Sequence, residues 1–410
     1  DGLFEHTVAG QADPGAVDEW GARLSLLYTP TDELALNLRA SSSKSNPINY
    51  TTVPDNIGPS GVGLTGYTRD GLESHQTDSD YVEQRLIETN AIALTVDYDL
   101  SDTLTLTSIS SWDDGTFFAP EDTDGSSISI GWVDYAADTT QWSQDLRLTS
   151  DTGGPFNYIV GLYAATEEVH VTTSIGVYHD LAGNYDGDGD SGDTGDCIAS
   201  GGVACTLSND YRQTRTSGAA YLHSTYDMSE RMSLTFGLRY TEDETKLEDF
   251  MATLSGVQAG DYPSLTTISQ ATLPQEQFVD REWSGKIGLD YTTDDDTLLY
   301  VSLSKGYRSG AFNGQAFNLP SEVTRVAPET LNALELGFKA ELLDNSVQLN
   351  GAAFYYDYSN QQFLDIQTVG SNALIQTLIN IDKSTIRGAE LELVARPLEA
   401  LMLRAGLGWL

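Results

Sequence analysis

The sequence predicts an all-β fold, a transmembrane antiparallel up-and-down β-barrel, from three observations. Seven short polar turns punctuate the chain: TPTDE (29–33), LSDT (100–103), DTGGP (151–155), DMSER (227–231), TTDDDT (292–297), LLDNS (342–346) and RPLEA (396–400). They recur about every 50 to 80 residues, room for one strand out, a long loop and one strand back. A soluble β-sandwich places its turns about every 8–12 residues. The second observation is a period of two over segments longer than ordinary strands. The third is tyrosine placement: Tyr28, Tyr98, Tyr226 and Tyr291 each lie a few residues before a short turn. Rings with a polar hydroxyl settle at a membrane–water boundary, which predicts a girdle there.

The elements follow in order. Strands are expected at 19–29, 33–43, 84–99, 103–118, 140–150, 156–170 and 211–227. The series continues at 231–246, 280–293, 297–312, 331–343, 346–361, 385–396 and 401–410. That is about 14 strands, each able to span the roughly 9–11 residues a tilted crossing needs. Within 234–240, Leu234, Phe236, Leu238 and Tyr240 alternate with Ser233, Thr235, Gly237 and Arg239; within 334–342, Leu334, Leu336 and Phe338 alternate with Glu335, Gly337 and Lys339. Full charges on the polar set suit a wet lumen, with the apolar set facing lipid. The intervening loops are expected at 44–83, 119–139, 171–210, 247–279, 313–330 and 362–384.

Composition agrees. No stretch approaches 18 consecutive apolar residues, so no transmembrane helix is expected. The mean hydropathy of −0.28 is what alternating faces average to. The 410 residues include 21 Tyr and 38 Gly but only 2 Cys. Acidic residues outnumber basic ones 61 to 21, a net charge of −40 that repels phosphate and argues against a nucleic-acid partner. The chain starts at Asp1 without a signal peptide and stops at Leu410 inside an apolar alternation, so it reads as part of a barrel domain spanning 1–410.

Four segments carry a resemblance. They are LYVSLSKGYRSGAFN (299–313), PETLNALELGFKAE (328–341), LLDNSVQLNGAAFYYDYSNQQ (342–362) and IRGAELELVARPLEALMLRAGLGWL (386–410). In this order they resemble the barrel of TonB-dependent outer-membrane receptors. The resemblance implies a barrel of roughly 22 strands with a plugged lumen, the plug lying outside this chain. It implies a monomer in outer-membrane lipid and lipopolysaccharide, driven through the plug by the inner-membrane TonB complex. The implied cargo is a ferric siderophore, with cobalamin, haem and glycans as alternatives. A passive substrate-selective porin, with a long loop folded inward, is the competing class.

Chemistry-bearing groups are sparse. In the loop 171–210, Asp186, Asp188, Asp190, Asp193 and Asp196 alternate with glycine and other small residues. Such a run offers hard oxygen ligands for Ca²⁺, although it lacks the EF-hand glycine and glutamate; a solvated acidic loop is the simpler reading. Cys197 and Cys205 should form one disulfide in an oxidising compartment, contributing about 2–3 kcal/mol. His6, His75, His170, His179 and His223 show no metal-protease spacing, and neither a nucleophile elbow nor a Walker loop is present. No enzyme and no required cofactor are expected. Arg147, Arg239, Lys286, Lys339 and Glu390 fall on the lumen set, where charge steers cargo or bonds a plug and trapped water.

Overall fold

The fold is described from a computed structural model over residues 2–53, 67–69, 71–127, 131–177, 205–255, 267–317, 319–369 and 373–410. Alternating sequence becomes long strand in every segment where it was expected. The sheet opens with β1 (Glu19–Thr31), β2 (Leu34–Ser45), β3 (Leu86–Ser101), β4 (Leu104–Asp122) and β5 (Gly131–Ser150). It continues with β6 (Phe156–Val177), β7 (Cys205–Ser229), β8 (Met232–Ser255), β9 (Gln277–Thr292) and β10 (Leu298–Arg308). It ends with β11 (Glu329–Leu342), β12 (Val347–Val369), β13 (Ala373–Leu398) and β14 (Leu401–Trp409). Each long strand bonds to its sequence neighbours, and the two-residue strand Ile268–Ser269 joins β8 to complete a 15-stranded sheet. Among the described residues no ladder joins β1 to β14.

The two faces of the sheet differ. On β10, Leu299, Val301 and Leu303 are 43%, 41% and 53% exposed, and their cross-strand partners Leu336 and Leu334 are exposed with them. A continuous face of bare Leu, Val and Ile needs an apolar solvent, since a soluble protein rarely shows so large a patch. Tyr28, Tyr98, Tyr226 and Tyr291 all stand exposed near the short turns, in register with Leu36, Leu34, Leu234 and Leu299 of that apolar face. The opposite face carries the polar set.

Two expected loops are largely strand. β4 runs to Asp122 and β5 begins at Gly131, which consumes most of 119–139. The segment 362–384 folds as a hairpin, with Phe363 opposite Ile379 and Ile366 opposite Gln376. Ile366, Ile379 and Ile381 are β-branched and keep the ladder going beyond the length a membrane requires. The expected strand 297–312 instead ends at Arg308, and the chain leaves the sheet at Ser309 and Gly310.

That departure builds the main core. The segment after β10 forms a short hairpin, Ala311–Asn313 with Thr324–Val326, and lies on the polar face of β7, β8 and β9. Phe312, Ala316 and Val323 pack there against Leu247, Phe250, Ile268 and Phe278. Four alternate residues of β7 strap the segment down. Asn209 Nδ2 donates to the carbonyls of Gly314 (2.9 Å) and Ala316 (3.0 Å). A Cβ on Gly314 would meet the Tyr211 ring at 2.4 Å, so glycine permits that close approach. Gln213 Oε1 accepts from Phe312 N–H (2.9 Å), and Arg215 Nη1 donates to Ser309 Oγ (2.9 Å).

Candidate functional site

Beneath this inward-folded segment lies a polar cavity of about 360 Å³ on the polar face. β7, β8 and β10 bring Arg215, Arg239 and Arg308 to it, and Glu167 and Asp243 are its carboxylates. Three guanidiniums against two carboxylates make a local positive excess in a chain of net charge −40. Arg215 bonds Glu167 (2.5 Å), and Tyr307 donates its hydroxyl to Asp243 (2.6 Å). Among the described residues, no carboxylate forms an ion pair with Arg239 or Arg308.

Arg239 is held by rings. Its guanidinium lies 5.1 Å from the Tyr163 ring centre and 5.6 Å from that of Tyr221, within cation–π range. Its Nε donates to Thr241 Oγ1 (3.1 Å). Tyr221 is fixed in turn: its hydroxyl donates to Asp145 (2.8 Å), and its ring lies over Gly161, its cross-strand partner. A Cβ at Gly161 would meet that ring at 2.3 Å. The cation is thus oriented without being neutralised, which leaves its remaining donors for an anionic ligand.

A second polar cavity, of about 410 Å³, lies lower on the same face and includes Lys286, Tyr300, Glu335 and Tyr356. Tyr300 donates to Glu335 (2.8 Å). Of the lumen residues singled out from sequence, Arg239 lines the upper cavity and Lys286 the lower. Arg147 sits opposite Gly161, Lys339 opposite Leu298 and Glu390 opposite Ala352; none of the three lines either cavity. Sequence reasoning missed Arg215, Arg308, Tyr163 and Tyr221, because the site is assembled from five strands and has no local spacing. Ser309, where the chain leaves the sheet, completes the cavity's lining.

Other expected residues lie apart. Asp186, Asp188, Asp190, Asp193, Asp196, Cys197 and His179 fall outside the described residues, and so does the Cys197–Cys205 pairing. Among the described residues no cluster of three or more His, Cys, Asp or Glu is placed to hold a metal ion. His6 is buried, its Nδ1 accepting from Val8 N–H (3.1 Å) and its Nε2 bonding the Ser79 carbonyl (2.9 Å). His170 bonds Asp210 (3.1 Å). Outside the spanning segments, Asp122 is buried; it accepts from Ser79 Oγ and from the amides of Asp124 (3.0 Å) and Gly125 (2.9 Å). Burial pushes its carboxyl above the usual range, and those bonds oppose the shift.

The sequence matches the family described as "TonB dependent receptor-like, beta-barrel" over residues 44–410. The chain belongs to the TonB-dependent receptor β-barrel family. The receptor barrel is therefore an outer-membrane protein of a Gram-negative bacterium, with its apolar face toward lipid and its polar face toward the lumen. A "Pesticin receptor" of Yersinia pestis is 25% identical over 174 residues, 42% of this chain and 23% of that protein. The ferric yersiniabactin uptake receptor FyuA from Yersinia pestis superposes with a TM-score of 0.73 at 18% identity, covering 100% of this chain and 54% of that one. The siderophore receptor PiuA from Acinetobacter baumannii gives a TM-score of 0.62 at 17% identity, covering 98% and 57%. At such identities the structures show the fold alone. The chain spans about half the length of these solved receptors.

Proposed function

We propose that this barrel belongs to an energised uptake receptor whose lumen binds a scarce anionic metal chelate, a ferric siderophore foremost. The observation that carries the reading is Arg239, within cation–π range of the Tyr163 and Tyr221 rings and, like the neighbouring Arg308, without a carboxylate ion pair among the described residues. An acidic surface disfavours anionic chelates unless a local basic patch offsets the field, and this cavity supplies one. A receptor named for pesticin and structures named for siderophore uptake support the cargo class. A plug and the TonB complex would supply gating and energy; the barrel contributes binding and orientation, with no covalent step. In the same reading the Asp186–Asp196 run takes Ca²⁺ and Cys197 bridges to Cys205. Calorimetry without heat at millimolar Ca²⁺, or two free thiols by mass spectrometry, would remove those parts.

The test is a binding titration with ferric hydroxamate, ferric catecholate and cobalamin on the intact receptor. Saturable binding of a ferric chelate that weakens in Arg239→Ala supports the proposal; equal binding by the variant contradicts it. The passive-porin reading keeps one favourable observation, the segment 309–326 folded onto the inner wall. It predicts steady single-channel conductance, which a plugged receptor lacks.

A further inference from the structure

The chain holds the dipeptide Asn-Gly twice, at Asn313–Gly314 and at Asn350–Gly351. This pair is prone to deamidation, because a glycine amide swings onto the preceding asparagine Cγ with no side chain in the way. The two copies stand in opposite surroundings. Asn350 and Gly351 lie inside β12, in register with Lys339 and Phe338 of β11 and with Glu392 and Leu391 of β13. Ladders on both sides hold that backbone extended. Asn313 ends the first strand of the inward hairpin, and Gly314 lies beyond it. Among the described residues the Gly314 amide has no hydrogen-bond acceptor.

The fold needs both members of the hairpin pair. Asn313 Oδ1 accepts from Leu378 N–H of β13 (3.2 Å), and its Nδ2 donates to the Glu322 carbonyl (3.1 Å). The carboxamide thus joins the hairpin to the wall at one end and to its own return arm at the other. Gly314 cannot be exchanged, since a Cβ there would sit 2.4 Å from the Tyr211 ring. A reactive pair is therefore retained where a bulkier second residue would quieten it. Asn313 is only 5% exposed, so water reaches it when the hairpin lifts. Lifting breaks no ladder. The hairpin is a two-stranded sheet of its own, and its hydrogen bonds to the barrel each involve a side chain. Segments held in this way open locally at a fraction of the cost of global unfolding.

We propose that Asn313 is a deamidation site gated by that opening, and that its conversion loosens the hairpin permanently. In the open state the Gly314 nitrogen bonds to Asn313 Cγ, the Cγ–Nδ2 bond breaks, and ammonia leaves carrying the amide proton. Water then opens the cyclic imide to aspartate or isoaspartate, and no other reactant is needed. The product reseats poorly. A carboxylate keeps the Leu378 bond but turns an acceptor toward the Glu322 carbonyl, and a buried charge without a donor there is costly. The isoaspartate form also adds a backbone atom next to Tyr211, where Gly314 has no room to spare.

The experiment ages the intact receptor at neutral pH and maps both dipeptides by mass spectrometry, separating asparagine, aspartate and isoaspartate. Conversion at Asn313 is expected about tenfold ahead of Asn350. Asn209→Ala removes an anchor of the hairpin tip. It should speed conversion at Asn313 about 5- to 150-fold, up to the rate of the free peptide GAFNGQAF, and leave Asn350 unchanged. Gln213→Ala, which releases Phe312, is the second such variant. Asn313→Asp should show faster amide exchange across 310–317 than the unaged native protein. Equal conversion at the two dipeptides, an intact Asn313 once the free peptide has fully reacted, or a rate indifferent to both anchor variants overturns the proposal. Unchanged exchange in Asn313→Asp overturns the loosening. Heat-modifiable migration of each variant confirms an assembled barrel.

Discussion

Arg239 decides more of this account than any other side chain. A buried or half-buried hydrogen bond to a charged group is worth about 1.5–3 kcal/mol. Arg239→Ala should therefore weaken chelate binding roughly 10- to 150-fold, read by titration, while leaving heat-modifiable migration intact. Arg239→Lys keeps the charge but loses the guanidinium fork held near the Tyr163 and Tyr221 rings, and should fall between native and Arg239→Ala. Gly161→Val tests the support beneath: a side chain there occupies the space of the Tyr221 ring, so binding should drop although residue 161 does not line the cavity. Arg239 was legible in the sequence as an inward charge on an alternating strand. Its importance was not, because Tyr163, Tyr221, Arg215 and Arg308 come from β6, β7 and β10, and only the register brings them together.

At the level of elements, the strands were legible and their upper ends were not. Period two and the short turns locate all the long strands, because alternation is imposed by the lipid face. Beyond the membrane no such constraint acts, so β4, β5, β12 and β13 overran their expected ends, in β12 and β13 on β-branched residues such as Ile366, Ile379 and Ile381. The inward segment was equally hidden: nothing in GYRSGAFN announces that Asn209, Tyr211 and Gln213 will strap it down. Asn209 is fully buried, and Asn209→Ala would leave the Ala316 carbonyl unpaired and the Gly314 carbonyl with the Ala316 amide alone, at a cost of about 1–3 kcal/mol. Faster amide exchange across 310–317, with the strands unchanged, is the expected readout. The external junction at Asp122 makes a pH prediction. Its folded pKa lies above the ordinary 3.8, so its stabilising contribution is full below about that pH and is lost as pH rises through the folded value. The denaturation midpoint of this junction should thus gain from pH 7 toward pH 4, and Asp122→Asn should flatten that gain.

For the whole molecule, the sheet, the family and the compartment were readable from turns, alternation and four segments in order. Cargo was not, because a wall of 15 strands draws its specificity from side chains scattered over most of the chain. The charge balance shows why scale matters: a net charge of −40 argues against anionic cargo for the molecule, while one cavity with three guanidiniums argues for it. The central claim is energised uptake through that cavity. The measurement that tests it most directly is accumulation of a radiolabelled ferric chelate by cells making the intact receptor, with and without a proton-motive force, for the native protein and Arg239→Ala. The account predicts accumulation against the gradient that stops when the proton-motive force is collapsed and falls in the variant. Uptake that only follows the gradient, persists without energy and ignores Arg239 would contradict it.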